Sequence, residues 1–531
     1  MATTRRLVLL LYLAAIVVAA YLVCWVLLGD TMKPGGVGWA LGLLYACSRA
    51  AGACLAMTSK RLPALLAMLS IGLLLRNVPG AVLDTSAPLL GHSFDWWSGK
   101  IRSAALAVIM LRAGLGIDLD KLRRLGLVTA RLALVPCLCE AVTIIGLSVP
   151  LLGLSAAWGG TLGFVIAAVS PAVVVPGMLD LHARGYGVAK GVPTMVVAAA
   201  SFDDVLAIAG FGVCLALAIS SEEGGADGGG NFVWLVLKAP VELLAGITFG
   251  LLYGIGAAAP ASEHALVRYG AWIGHTVDAG PTGHTLVLTL GAMLAVYGGK
   301  LVGFSGGGAL AAIVLGATAA RLWTIPVCGT VHADVRARIN GLWTGLQPAL
   351  FGLLGAAVDM DSIDSSKLGA GLGVLGCGLV LRIIATRLVL KGSDLTNQEA
   401  RLVCIAWLPK ATVQAAVGGT ALDLVREKGY GAEAEARGQL VLMLSVLVIL
   451  LTAPIGALGI AMFGPVWLSH DQDTATDQGR GATQASEADR GGENKEAPLS
   501  STMSNAAVPV GFTQDIQQLA LGASEPAIDK L

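Results

Sequence analysis

The chain has 531 residues, 55% of them hydrophobic and only 13% charged, with a mean hydropathy of +0.75 and no net charge. Soluble domains carry about 25% charged residues, so this composition excludes a soluble globular protein and points to an all-α polytopic membrane protein. The even charge balance offers nothing to nucleic acid, and the nine cysteines, scattered through apolar runs without a CxxC, read as small packing residues rather than a disulfide framework.

The N-terminus, MATTRR, leads into an apolar run from Leu7 to Leu28. That is longer than a signal-peptide core of about 7–15 residues and lacks a clear cleavage site, so it reads as a retained first helix. Further apolar runs follow at 35–57, 62–83, 99–118, 126–150, 156–179, 192–220, 233–256, 283–299, 301–321, 343–359, 368–391, 400–424 and 438–468. The twenty-residue rule makes these about fourteen transmembrane helices, with 283–299 short for a span. Segment 260–282 is too polar to span and reads as a loop. Threading the chain through fourteen spans gathers more Lys and Arg on the side of the N-terminus, which makes both termini cytoplasmic. Three parts result: N-terminal helices over 1–60, a membrane domain over 61–468, and a polar Gly/Ser/Thr-rich tail over 469–531 that cannot bury a core and reads as disordered.

Two stretches of the membrane domain resemble each other. RAGLGIDLD at 112–120 aligns with LLGAAVDMD at 353–361, Gly114 on Gly355 and Asp118 on Asp359. At a nearly constant offset Glu140 then aligns with Arg382, and Pro171 in AAVSPAVVVPGML with Pro409 in IAWLPKATVQAAV. Seven spans separate the copies, so they cross the membrane in opposite senses. Inverted repeats of this kind are a recurring plan of secondary transporters. A proline inside each equivalent helix opens it. The freed backbone groups then need protein or a water-filled cavity beside them.

Buried charges are few and therefore informative. Asp203 and Asp204 lie in the middle of the 192–220 run, where one carboxylate costs about 2.5–3.5 kcal/mol by insertion scales. Such a pair reads as a site for a cation, a proton, or each in turn. On a helix the two point about 100° apart, so one can hold an ion while the other serves a partner. Lys410 follows Pro409 and either neutralises the field where helix ends meet or titrates during the cycle. Glu140 and Arg382 read as an ion pair across the core. Ser170 and Gln414 flank the two breaks and are candidates to lend oxygen to a dehydrated Na⁺ or Li⁺. Arg112 and Arg387 lie nearer helix ends and suit snorkelling. No GxxxxGK[ST] loop and no HExxH spacing occurs, so neither an enzyme nor a cofactor is implied.

SFDDVLAI, AVSPAVVVPGM, RAGLGIDLD and AWLPKATVQAA together resemble the animal sodium/hydrogen antiporters of the NHA subfamily, within the cation:proton antiporter superfamily, over about residues 60–465. The resemblance implies a fold with two crossed broken helices, a six-helix core and a dimerisation domain. It also implies a homodimer with an extra N-terminal helix and exchange of Na⁺ or Li⁺ for H⁺ by alternating access. Carried over by position, it implies an ion-binding role for Asp203 and Asp204, the lysine of the second broken helix at Lys410, and a core ion pair at Glu140 and Arg382. Arg382 stands where many bacterial relatives have lysine, which leaves stoichiometry open. The rival on the same scaffold is a proton-coupled chloride or other anion transporter, with Lys410 or Arg382 attracting the anion. The sequence leaves the plasma, endosomal and mitochondrial membranes equally open.

Overall fold

A computed structural model of the chain describes residues 19, 21–26, 29–33, 36–59, 61–78, 91–116, 119–222, 232–258, 280–323, 331–358 and 365–470. These fold as helices. They are α1 (Val37–Thr58), α2 (Ala64–Asn77), α3 (Gly91–Leu115), α4 (Leu119–Leu152), α5 (Ala156–Ala167), α6 (Pro171–Ala183), α7 (Val192–Glu222), α8 (Phe232–Ala258), α9 (Gly280–Leu301), α10 (Ser305–Trp323), α11 (Val331–Ala356), α12 (Ser365–Val389), α13 (Asn397–Ala406), α14 (Thr412–Val417), α15 (Thr420–Lys428) and α16 (Ala432–Trp467).

Among the described residues nine stretches are long and apolar enough to cross a membrane, fewer than the fourteen read from the sequence. The run at 7–28 lies largely outside the described residues. The run at 62–83 yields the short α2, and 400–424 is divided into three pieces. Most of 260–282, Asp118, Asp359 and everything after His470 also lie outside them. The tail boundary moves slightly. Ser469 and His470 are held on the turn between α6 and α7, where Gly187 N–H donates to the Ser469 carbonyl at 2.8 Å and the His470 and Tyr186 rings meet edge-on at 5.0 Å. Gly185 and Gly187 take left-handed φ of 78° and 68° there, which turns the chain tightly enough to present that backbone edge.

Most of the spanning helices are apolar on every side, so a hydrophobic stripe does not decide how they pack. Small residues do, because they let backbones approach. Gly114 of α3 lies against the backbone of Ile313 and Ala317, and Gly316 of α10 against Leu111 and Leu115. The same arrangement recurs where Gly72 of α2 meets Gly352 and Ala356, and Gly355 of α11 meets Leu69 and Leu73. Helices α2 and α3 of the first repeat therefore pack crosswise on α11 and α10 of the second. With α1, α8 and α9 they form one packing group. A Cβ at Gly352 would run into Ser48 and Leu44 of α1, so α1 is seated directly on this group.

The second group gathers α4 to α7 and α12 to α16. Gly163 of α5 rests on the Ala141 backbone of α4, and Gly378 of α12 on Ile144 and Glu140. Gly456 of α16 rests on the Pro409 ring. A buried cluster of Leu132, Met178, Val196, Leu402, Val403 and Ile460 ties α4, α6, α7, α13 and α16 together. The groups touch where Gly212 of α7 meets Gly306 of α10, backbone to backbone.

Replacing Gly355 by Val sets a branched Cβ against the Leu69 carbonyl oxygen, closer than van der Waals contact allows, and overpacking of this kind costs about 1–3 kcal/mol or more. A Cβ at Gly373 of α12 meets nothing within 4 Å, so Gly373→Ala is expected to leave stability unchanged or to raise it by up to about 1 kcal/mol through helix propensity. Thermal unfolding of the two variants in detergent checks the contrast.

Candidate functional site

Both predicted breaks are present, and they cross. The first helix stops at Ala167, takes extended backbone at Ala168 and Ser170, and restarts with Pro171 as the first residue of α6. Proline suits that position because its missing N–H would be unsatisfied there anyway. The second stops at Ala406 and restarts at Thr412, with Pro409 and Lys410 in the gap. At the crossing Ser170 Oγ lies 3.3 Å from Thr412 Oγ1 and accepts from Thr412 N–H, while Ser170 N–H donates to the Pro409 carbonyl at 2.8 Å. Ser170 and Thr412 are 242 positions apart, the same offset as Glu140 and Arg382. That register sets Pro409 opposite Ala167, so the two prolines lie in equivalent breaks but not at equivalent positions.

A break in a buried helix leaves carbonyls and amides without partners, and each unsatisfied group is costly. Side chains supply what is missing. Gln414 Nε2 donates to the carbonyls of Val165 at 2.8 Å and Ala168 at 3.0 Å. Lys410 Nζ reaches the Ala167 carbonyl at 3.1 Å, and Arg382 Nη1 donates to the same oxygen. Arg382 Nε takes the Trp407 carbonyl at 2.9 Å at the end of α13. Cations at two helix C-termini are where the peptide dipoles favour them. At the other polarity, the freed Val169 N–H donates to Asp203 Oδ2 at 2.6 Å, and Lys410 N–H to Thr452 Oγ1 at 3.0 Å.

The same side chains pair with each other. Arg382 Nη1 lies 2.7 Å from Glu140 Oε2, and Arg382 Nη2 lies 3.0 Å from Asp203 Oδ1. Lys410 Nζ lies 2.7 Å from Glu140 Oε2. All four side chains are fully buried. Asp203 is thus committed through both oxygens. Its neighbour is not. Asp204 is buried, and its Oδ1 has no hydrogen-bond partner among the described residues. Glu140 Oε1 and Gln414 Oε1 are likewise buried without partners there. The two aspartates occupy different environments, as their angular separation on α7 requires. Asp203 belongs to an ion-pair network, and Asp204 presents an unsatisfied oxygen. A buried carboxylate in that position has the chemistry to take up a proton or a hard cation.

The structure brings Glu140, Ser170, Asp203, Arg382, Lys410 and Gln414 to one crossing and sets Asp204 next to it. Thr412, Thr452 and Val169 belong to it too and escaped the sequence reading. Thr412 had a usable signal, the offset from Ser170. Thr452 and Val169 had none, since each acts through a contact between helices. Arg112 does not snorkel but donates through Nε to Asn340 Oδ1 at 2.7 Å.

Residues 49–464 match the family described as sodium/hydrogen exchanger, transmembrane. The chain belongs to that family. It is 38% identical over 454 residues to the human sodium/hydrogen exchanger 9B2, an alignment covering 85% of this chain and 79% of that one. To the human sodium/hydrogen exchanger 9B1 it is 35% identical over 455 residues, covering 85% and 82%. The sodium proton antiporter MjNhaP1 of Methanocaldococcus jannaschii shares the fold, with a TM-score of 0.61 at 18% identity over 79% of this chain and 98% of that one. The chain is accordingly a multi-pass integral membrane exchanger-family protein, and the antiporter fold expected from its inverted repeats is the one it has.

Network and free carboxylate separate in stability. Arg382→Met strands Asp203 and Glu140, and breaking a buried pair from one side costs about 3–5 kcal/mol. Asp204→Asn removes a charge without a partner and is expected to leave stability unchanged or raised. A melting temperature in detergent that falls equally for both variants would contradict this division.

Proposed function

We propose that this protein exchanges Na⁺ or Li⁺ for H⁺ across a membrane by alternating access, with cation and proton competing for Asp204. The observation that carries the reading is the formal charge of the buried cluster. Asp203 and Glu140 balance Arg382 and Lys410 in a hydrogen-bonded quartet. Asp204 remains, with an oxygen that no group among the described residues satisfies. The empty site then carries one negative charge in excess. One Na⁺ neutralises it, and one H⁺ neutralises it equally.

Alternating access follows from that balance. A bare carboxylate resists transfer through an apolar barrier, so the empty site moves poorly. The loaded site, neutral with either ion, moves freely. The moving body is the group of helices α4–α7 and α12–α16, which slides on α1–α3 and α8–α11 along the Gly212–Gly306 contact. Gln414 Oε1 and the Ser170 and Thr412 hydroxyls lie at the crossing as hard oxygen ligands, the class that suits Na⁺ and Li⁺. Glu140, Arg382 and Lys410 stay paired and hold the break open. Asp203 positions the network rather than releasing its own proton. The working unit is a homodimer with both termini cytoplasmic. One cation for one proton makes the exchange electroneutral.

The test uses purified protein in liposomes with a trapped pH dye and an imposed pH gradient. Na⁺ and Li⁺, not choline, are expected to dissipate the gradient equally well with chloride or gluconate, and at the same rate when the membrane potential is clamped. Asp204→Asn is expected to abolish the signal. The apparent KM for Na⁺ is expected to rise in proportion to proton concentration as pH falls, with little change in maximal rate. A signal that followed chloride and ignored the cation would move the function to proton-coupled anion transport.

A further inference from the structure

The moving group and its support are also joined by ion pairs at one end of the bundle, away from the transport site. Helix α3 belongs to the supporting group, held to α10 through the Gly114–Gly316 crossing. Helix α15 is the last piece of the second broken helix and packs on α16, where Gly438 meets Leu422. Across this boundary Arg102 of α3 donates through Nε to Asp423 Oδ2 at 3.2 Å and through Nη2 to Asp423 Oδ1, a two-pronged pair. One turn further on α15, Glu427 Oε1 lies 3.9 Å from Lys100 Nζ. The first pair is largely buried, with side chains 6% and 14% exposed.

The local sequence is built to admit this contact. A Cβ at Gly419, in the gap between α14 and α15, would stand 3.2 Å from Arg102 Nε, and Gly99 leaves the same room beside the Asp423 carboxylate. The α3 side is stiffened by its own neighbours. Tyr297 Oη donates to the Lys100 carbonyl at 2.6 Å, and Lys300 Nζ to Ser103 Oγ at 2.7 Å, both from α9. One partner of each ion pair is therefore fixed to the support and the other rides on the broken helix that carries Lys410, Thr412 and Gln414.

We propose that Arg102–Asp423, backed by Lys100–Glu427, is a latch that closes the face of the membrane at which α3 begins and α15 ends, so that the site opens to that face only when these pairs part. This rests on the alternating-access reading above. A two-pronged arginine–carboxylate pair shielded from water is stronger and more demanding in geometry than a surface pair. A shift of α15 along α3 by a fraction of a helical turn would break both pairs together. The latch then sets how often the site visits the state open to that face, and apparent affinity scales with the fraction of competent state.

The experiment measures the apparent KM for Na⁺ at each face, in sealed vesicles of both orientations, for the unaltered protein, Asp423→Asn, the exchanged pair R102D/D423R, and Glu433→Gln. Glu433 pairs with Arg437 within α16 and does not bridge the two groups, so its variant should leave both KM values unchanged. Asp423→Asn is expected to lower KM at the latched face by about threefold to tenfold and to raise it at the opposite face. The exchanged pair is expected to return both values towards those of the unaltered protein. Size-exclusion profiles of every variant guard against a folding defect, and the exchanged pair restores the salt bridge without restoring either residue. Unchanged KM at both faces in Asp423→Asn, or an equal loss of maximal rate in Asp423→Asn and R102D/D423R with no shift between faces, would overturn the latch while leaving the exchange reading intact. Absence of Na⁺-driven exchange in the unaltered protein would overturn the exchange reading, and the latch with it.

Discussion

Arg382 holds the crossing together because its planar fork reaches two helix ends and two carboxylates at once. Its Nε takes the Trp407 carbonyl, Nη1 takes Glu140 and the Ala167 carbonyl, and Nη2 takes Asp203. Lysine carries three donors on one atom and cannot span that set. Arginine also keeps its proton under all ordinary conditions. In the proposed exchange, Asp203 faces a permanent cation and serves structure, and the adjacent Asp204 takes up what the medium supplies. Lys410 completes the balance by meeting Glu140 from the other side.

The crossing stands because side chains from the helices around it satisfy its backbone. Broken helices expose backbone groups that water would ordinarily satisfy, and here Gln414, Lys410, Thr452 and Asp203 satisfy them instead. Outside the crossing, helix pairs of the supporting group meet through glycines against backbone, at Gly114–Gly316 and Gly72–Gly355. The boundary between the groups has a glycine contact of the same kind, at Gly212–Gly306, and adds ion pairs that can part. Two packed groups that meet through apolar contacts and ion pairs able to part are what a hinge or sliding transition requires. The Arg102–Asp423 pair is placed where that transition would be felt.

Much of this was legible in the sequence, and the reasons differ by element. Long apolar runs gave the all-α membrane fold, because a bilayer fixes the length of a span. Charges inside such runs are costly, so Glu140, Asp203, Asp204, Arg382 and Lys410 stood out at once. The inverted repeat was visible through Gly114–Gly355 and Glu140–Arg382, although the prolines suggested a register that Ser170 and Thr412 correct. What stayed hidden depends on contacts between distant helices. Nothing in one dimension separates Asp203 from Asp204, since the division comes from the side of α7 that meets Arg382. Thr452 looks like any small polar residue in an apolar helix. The count of fourteen spans is not confirmed by the described helices: the run at 7–28 lies largely outside them, and a hydropathy run does not reveal that 400–424 folds as three short helices.

The central claim is that a single carboxylate, Asp204, trades one proton for one cation beside a self-neutralised quartet. The most direct measurement is calorimetric. Na⁺ is titrated into purified protein in detergent, in buffers of differing ionisation enthalpy, at a pH where the empty site is protonated. The slope of apparent enthalpy against buffer ionisation enthalpy counts protons released per ion bound. One proton per Na⁺ is predicted, with binding lost in Asp204→Asn and the slope of one kept when Lys410 is replaced by arginine in a variant that still binds. A count of two would show that Asp203 or Lys410 also titrates, and a count of zero would show that cation and proton do not compete; either result would contradict the account.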